Sequence, residues 1–404
     1  MNKLLNSLHL RDVGGLEMVM ALFPILIGYT IAGVPFGVAL CFLLILFVIL
    51  KKSRKVFKKG PILVWLTFFV IHDILLSFIL PQAQMVFINL LVSCVAYVLT
   101  AVAVGNVIDY KKFRGCVNWV AILCMAGMLY HFTLAIRGMS FSPLTLPFFP
   151  AQDVSSRAFE EVVRPTSFFW EPQAYASFMF VPMYFALEER KYVWAAFIAI
   201  TIFMSSSTTG LVAVFILFAL MVFMGGASSG KHIVSYSVLV IVIVLFLGFF
   251  LFRSGFFSQG LEKLFYESEN MSEQVRLVQG PVIVSTMNLT DWFLGAPYAN
   301  AYQYCVDRGI TNMVVIYGEN SMYVPSFWNA LLRYGIIGLL IYLNIYWYYY
   351  KHNKQIRPYI ICLILLLFTN PDFMGGMFCF SMIFIISHNR YFALHNEEKV
   401  YHKT

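Results

Sequence analysis

Uninterrupted apolar runs decide the class of this chain. GVALCFLLILFVIL (37–50), ILVWLTFFVIHDILLSFIL (62–80) and YSVLVIVIVLFLGFFLF (236–252) hold a single acid between them and do not alternate in polarity. A hydrocarbon core about 30 Å thick is crossed by roughly 20 residues of helix. Backbone groups must bond to each other there, so an apolar span that lacks barrel alternation is read as a helix. Charged residues make up only 12% of the chain, against about 25% in an ordinary soluble domain. The expected fold is all-α: a single polytopic integral membrane domain over residues 1–404.

Twelve spans are expected, near 16–33, 35–50, 61–80, 85–108, 116–135, 174–188, 192–205, 208–226, 232–252, 326–349, 357–369 and 372–388. The N-terminus MNKLLNSLHLRDVGGLEMVM offers no small-residue cleavage site after a short apolar core, so the first span is expected to remain as an anchor. Seven cysteines show no CxxC spacing, which supports neither a disulfide framework nor a zinc site.

The 28 Lys and Arg fix the sidedness, because cytoplasmic loops are enriched in them. KKSRKVFKKG (51–60), DYKKFRG (109–115) and KHNKQIR (351–357) fall on one side of the twelve-span scheme, together with both termini. Twenty basic residues lie on that side and eight on the other. Both termini are therefore expected to be cytoplasmic. The +8 net charge is a topology signal and not a nucleic-acid footprint; attraction to anionic membrane lipids is secondary.

Two extracytoplasmic segments are long, 136–173 and 253–325. Long loops without structure are uncommon unless functional, so both are expected to fold over the membrane domain. SEQVRLVQGPVIVSTM (272–287) reads as a short helix with Ser272 at its N-cap.

The first of these segments ends in RPTSFFWEPQAYA (164–176). Pro165 disfavours helix at Arg164, whereas Pro172 suits a helix start with Glu171 just before it, at the positive dipole end. SFFW is expected to settle at the membrane interface. Arg164 and Glu171 fit a snorkelling arginine and a helix cap, or an arginine whose planar fork grips a phosphate at the membrane surface. Arg253, Arg276 and Arg308 in the large loop face the same side, and a cluster of them would suit a diphosphate. At the loop's end Glu319, Asn320 and Tyr323 precede a span. Glu319 is a candidate general base, since a carboxylate beside a low-dielectric region can have its pKa raised. Arg333 lies within the first turns of that span, where a charge is a functional hypothesis by default.

Other motifs read as structural. GIIG (335–338) allows close helix packing, and SSSTTG (205–210) caps a tight hairpin. His72 and Asp73 suggest an interhelical hydrogen bond before a proton relay. Neither GxxxxGK[ST] nor HExxH nor DxD is present, so ATP hydrolysis and metal-dependent sugar-nucleotide transfer lack support.

RPTSFFWEPQAYASF resembles the Arg-x-x-Gly/Ser-aromatic-x-x-Glu-Pro motif of the Wzy-type polymerases of O-antigen, capsule and exopolysaccharide, relatives of the O-antigen ligases. MSSSTTGLVAVFILF resembles that family's hydroxyl-rich hairpin. VRLVQGPVIVSTMNLTDWFLGAP and NALLRYGIIGLLIYL resemble its large loop and exit helix. The resemblance covers about 164–343.

It implies a GT-C-like membrane fold of a bacterial cytoplasmic (inner) membrane and a metal-independent glycosyltransferase with no cofactor. Such an enzyme moves a growing glycan from undecaprenyl diphosphate to the non-reducing end of the next lipid-linked unit, on the outer leaflet. Arg164 and Arg276 would hold the donor diphosphate, with Glu171, Asn320, Tyr323, Arg253, Arg308 and Arg333 as further substrate contacts. A flippase and a chain-length regulator would be its protein partners. One departure is local: the His-Asn pair that ligases place before the exit helix falls here on Val324 and Pro325. A lipid-linked oligosaccharide flippase and an O-antigen ligase are the alternatives.

Overall fold

The computed structural model describes residues 13–31, 33–51, 56–57, 60–79, 84–150, 164–225, 278–296, 301–310, 315–316 and 321–401. These are predominantly helical, with two short antiparallel hairpins, and they group into two compact units.

The first unit takes Met1–Gly37 and Ile108–Ser268. Its elements are α1 (Gly15–Leu26), the hairpin β1 (Thr30–Ile31) and β2 (Val34–Pro35), α5 (Tyr110–Ile136), α6 (Pro172–Glu188), α7 (Tyr192–Met204) and α8 (Thr208–Gly225). The expected first span, 16–33, is divided. Helix α1 stops at Leu26, and Gly33 at φ 78° turns a hairpin that pairs Thr30 with Pro35. Helix α5 starts earlier than expected because Asp109 caps it, its Oδ1 accepting from the backbone N–H of Lys111 (2.9 Å) and Lys112 (3.2 Å). Helix α6 is buried almost all round, from Pro172 to Leu187 except Ser177, as expected of an apolar helix at the centre of a bundle. The SSSTTG hairpin behaves as read: Ser207 accepts the Gly210 N–H at 3.2 Å as the N-cap of α8. At the far end of α6, Tyr110 and Tyr184 both donate to Glu188, and Arg114 pairs with Glu189 at 2.5 Å.

The second unit takes Val38–Val107 and Glu269–Thr404. It holds most of α2 (Phe36–Lys51), α3 (Pro61–Ile79), α4 (Gln84–Gly105), three short helices α9 (Gln279–Ser285), α10 (Leu289–Leu294) and α11 (Ala301–Asp307), and the hairpin β3 (Val315–Ile316) and β4 (Ser321–Met322). It ends in α12 (Ser326–His352), α13 (Arg357–Leu366) and α14 (Gly376–Tyr401). Trp65 is fully buried at its centre, edge-on to Tyr334 at 5.3 Å, with Nε1 donating to Met374 Sδ at 2.5 Å. Gly105 lies against Ile386, which brings α4 and α14 close together.

Eleven of the twelve expected spans carry a helix, and 232–252 lies outside the described residues. Among the described residues, three helices are long and apolar enough to cross a membrane: Tyr110–Ile136, Ser326–His352 and Gly376–Leu394. The helix expected over 272–287 is described from Gln279 to Ser285.

Candidate functional sites

In the first unit the Arg164–Glu171 stretch forms a turn on the flank of α5. Arg164 is half-buried, and Pro165, Thr166 and Ser167 are buried. Ser167 adopts φ 57°, a left-handed conformation that a non-glycine residue keeps only where its surroundings hold it. Its Oγ donates to the Cys124 carbonyl at 2.7 Å, and its own carbonyl accepts the Leu144 N–H at 2.8 Å. The N–H groups of Thr166 and Ser167 both point at His131 Nδ1, at 3.4 and 3.2 Å. Phe169 is fully buried against Tyr175 and Phe178. It anchors the turn in the interior of the first unit, while Phe168 and Trp170 on either side of it are only half-buried. Glu171 is the extended N-cap residue of α6 (φ −149°) with Pro172 in the first turn, and its side chain makes no capping bond.

In the second unit the residues of interest gather where α12 breaks. Gly335 has φ 62° and ψ −170°, so the helix is interrupted one residue beyond Tyr334. An interrupted helix leaves backbone carbonyls without their usual donors, and the Leu332 carbonyl takes the Ala296 N–H instead, at 2.6 Å. Gly295 (φ 89°) lies against the Arg333 carbonyl and Gly335 against the Phe293 carbonyl, with no room for a Cβ at either. The LGA of DWFLGAP and the RYG of the exit helix, far apart in sequence, are therefore one structure. Gly335 supplies a break here; the close packing expected of GIIG falls to Gly338, beside Phe68 and Tyr334.

Around this break, Tyr334 donates to Asp73 Oδ2 at 3.2 Å, joining α12 to α3. His72 Nδ1 lies 3.2 Å from Asp73 Oδ1, and its Nε2 lies 2.8 Å from the Leu294 carbonyl. A ring nitrogen facing a carbonyl donates to it, so His72 Nε2 is the donor to Leu294. Asp73 is buried and has both oxygens engaged. This is the interhelical hydrogen bond that the sequence favoured over a relay.

Arg333 is only 8% exposed. Its guanidinium lies 5.8 Å from the Tyr334 ring, and Nη2 is buried with no hydrogen-bond partner among the described residues.

Arg308 is committed elsewhere. It pairs with Asp291 at 2.8 Å, reaches the Thr286 carbonyl at 3.4 Å, and lies 5.1 Å from the Tyr304 ring. Tyr323 ties the loop to the turn before α14, its hydroxyl donating to the Thr369 carbonyl at 2.9 Å while its own carbonyl accepts from Gln279. Arg253, Arg276, Glu319 and Asn320 lie outside the described residues. Cys305 on α11 is buried, and burial pushes its thiol up to about 11.

Sequence reasoning missed His131. It stands alone in an apolar stretch, and only its place on α5 opposite the TS pair gives it meaning. Comparison with protein-family models, with curated proteins and with solved structures found no match.

Proposed function

We propose that this chain is a polymerase of lipid-linked oligosaccharide repeat units in a bacterial cytoplasmic membrane. Its twelve spans would leave both termini cytoplasmic and the two long loops outside. The donor is a glycan on undecaprenyl diphosphate, and the acceptor is the non-reducing hydroxyl of the next lipid-linked unit.

The observation that carries this reading is Arg333. Its Nη2 is buried with no hydrogen-bond partner among the described residues, and a guanidinium held so costs several kcal/mol unless an anion joins it (of order 2–5). A diphosphate at the membrane surface is an anion of the right kind, and it accompanies the substrate instead of belonging to the fold. The motif resemblance around Arg164 supports the same substrate independently.

In the proposed reaction the acceptor hydroxyl attacks the anomeric carbon of the donor sugar. The bond from that carbon to the phosphate oxygen breaks, and undecaprenyl diphosphate leaves with the bonding electrons. The hydroxyl proton passes to a base, for which Glu319 is the assignment. Negative charge grows on the departing diphosphate, so pre-placed arginines stabilise the transition state more than the ground state. Arg164 and Arg276 are assigned to that charge by the resemblance. Arg308 is the weaker assignment, because its pairing with Asp291 must open before it can serve.

The test is direct: purified protein in detergent, its lipid-linked repeat unit, and EDTA. A ladder of lengthened glycans is expected. A single unextended band, with substrate intact and protein folded, would sink the polymerase. In that event, movement of the lipid-linked unit between leaflets of a vesicle would mark a flippase, and transfer of preformed polymer to another acceptor would mark a ligase.

A further inference from the structure

His131 is fully buried in the long apolar helix α5, where an imidazole needs a reason to be. Its ring lies 4.7 Å from that of Phe141, and Nδ1 receives two backbone N–H groups, those of Thr166 and Ser167. A nitrogen that accepts holds a lone pair, which puts the ring proton on Nε2 and leaves the imidazole neutral. The two N–H groups belong to the one turn that separates Arg164 from Glu171. That turn contains the left-handed Ser167, whose conformation depends on being held.

We propose that His131 is a positioning residue for Arg164. It acts as a neutral acceptor that fixes the Thr166–Ser167 backbone and so sets where the arginine leaves the turn. Its part in the reaction rests on the polymerase reading; the clamp itself does not. What the site requires is a lone pair at the Nδ1 position. An asparagine Oδ1 can supply one there, and a leucine of similar bulk cannot.

The experiment is hydrogen exchange of purified protein in detergent, read at the Thr166 and Ser167 amides, alongside polymerisation kinetics. The two amides should be protected in the natural protein. In His131→Leu they should exchange on the order of tenfold faster, the loss of about one hydrogen bond each. In His131→Asn most of the protection should return. Polymerisation should fall by roughly 10- to 100-fold in His131→Leu, in kcat more than in KM, and recover substantially in His131→Asn.

Unprotected amides in the natural protein would overturn the clamp, whatever the chain's activity. Should His131→Leu not fold, His131→Asn still decides: loss of protection in that variant overturns the lone-pair requirement. Fast exchange in His131→Leu with undiminished polymerisation would overturn the positioning role alone. Absence of polymerisation in the natural protein would count against the proposed function and leave the exchange result standing.

Discussion

An arginine that is 8% exposed beside a broken helix is a poor choice for stability and a good one for holding an anion. Replacing a buried charge that has no ion partner among the described residues by an apolar residue of similar size removes the cost of holding that charge out of water. Arg333→Met should therefore melt at or above the natural temperature in detergent while losing glycan polymerisation. A variant that melts much lower would mean that the guanidinium belongs to the fold. Asp73 should behave in the opposite way. Asp73→Ala strands the Tyr334 hydroxyl and the His72 ring, at about 1–3 kcal/mol for each unsatisfied group, and its melting temperature should drop clearly. At this scale the sequence singled out Arg333, Asp73 and His72 because polar groups stand out in apolar runs. It did not reveal their partners. Tyr334 and Asp73 are 261 positions apart, and nothing local to either announces the other.

Helix α12 shows where element-level reading succeeds and where it stops. Its start after Pro325 and its apolar length were legible from the run NALLRYGIIGLLIYL. Its break was not, because a glycine within an apolar run fits helix packing as well as a turn to positive φ. What decides is the Phe293 carbonyl pressed against Gly335, a contact supplied by another stretch of chain. Gly335→Ala should therefore cost about 1–3 kcal/mol from backbone strain alone, with more from the collision, seen as lower yield and an earlier thermal transition. Helix α11 gives a chemical readout of the same unit. With the Cys305 thiol pushed up to about 11, little thiolate exists at neutral pH, and labelling by a maleimide should be slow at pH 7 and rise as pH climbs toward that value. Rapid labelling at pH 7 would show that the loop opens. The helix start at Pro172 and the Ser207 cap were legible because capping chemistry is short-range. The β1–β2 hairpin was missed because a span-length apolar window averages over it.

On the scale of the whole molecule, continuous hydrophobicity made the helical, membrane-type composition plain, while the division into two units could not be seen. Each unit is assembled from two separated stretches of chain, and composition does not change at 37 or 107. The sidedness can be tested at the two ends of α5. Lys111 and Met139 are both exposed, and the native cysteines among the described residues are all buried, so background labelling should be low. Lys111→Cys should react with an impermeant maleimide only from the cytoplasmic side, and Met139→Cys only from outside. Labelling of both from one side would refute the proposed crossing.

The pairing of α4 with α14 also sets a schedule for biosynthesis. Asn106, just after α4, gives its carbonyl to Arg390, 284 positions later. At about 5–20 residues per second, that partner emerges from the ribosome roughly a quarter of a minute to a minute after its acceptor. Throughout that interval α4 must exist without the helix it was shaped to meet, its Gly105 notch unfilled by Ile386. The first unit can close while the second waits.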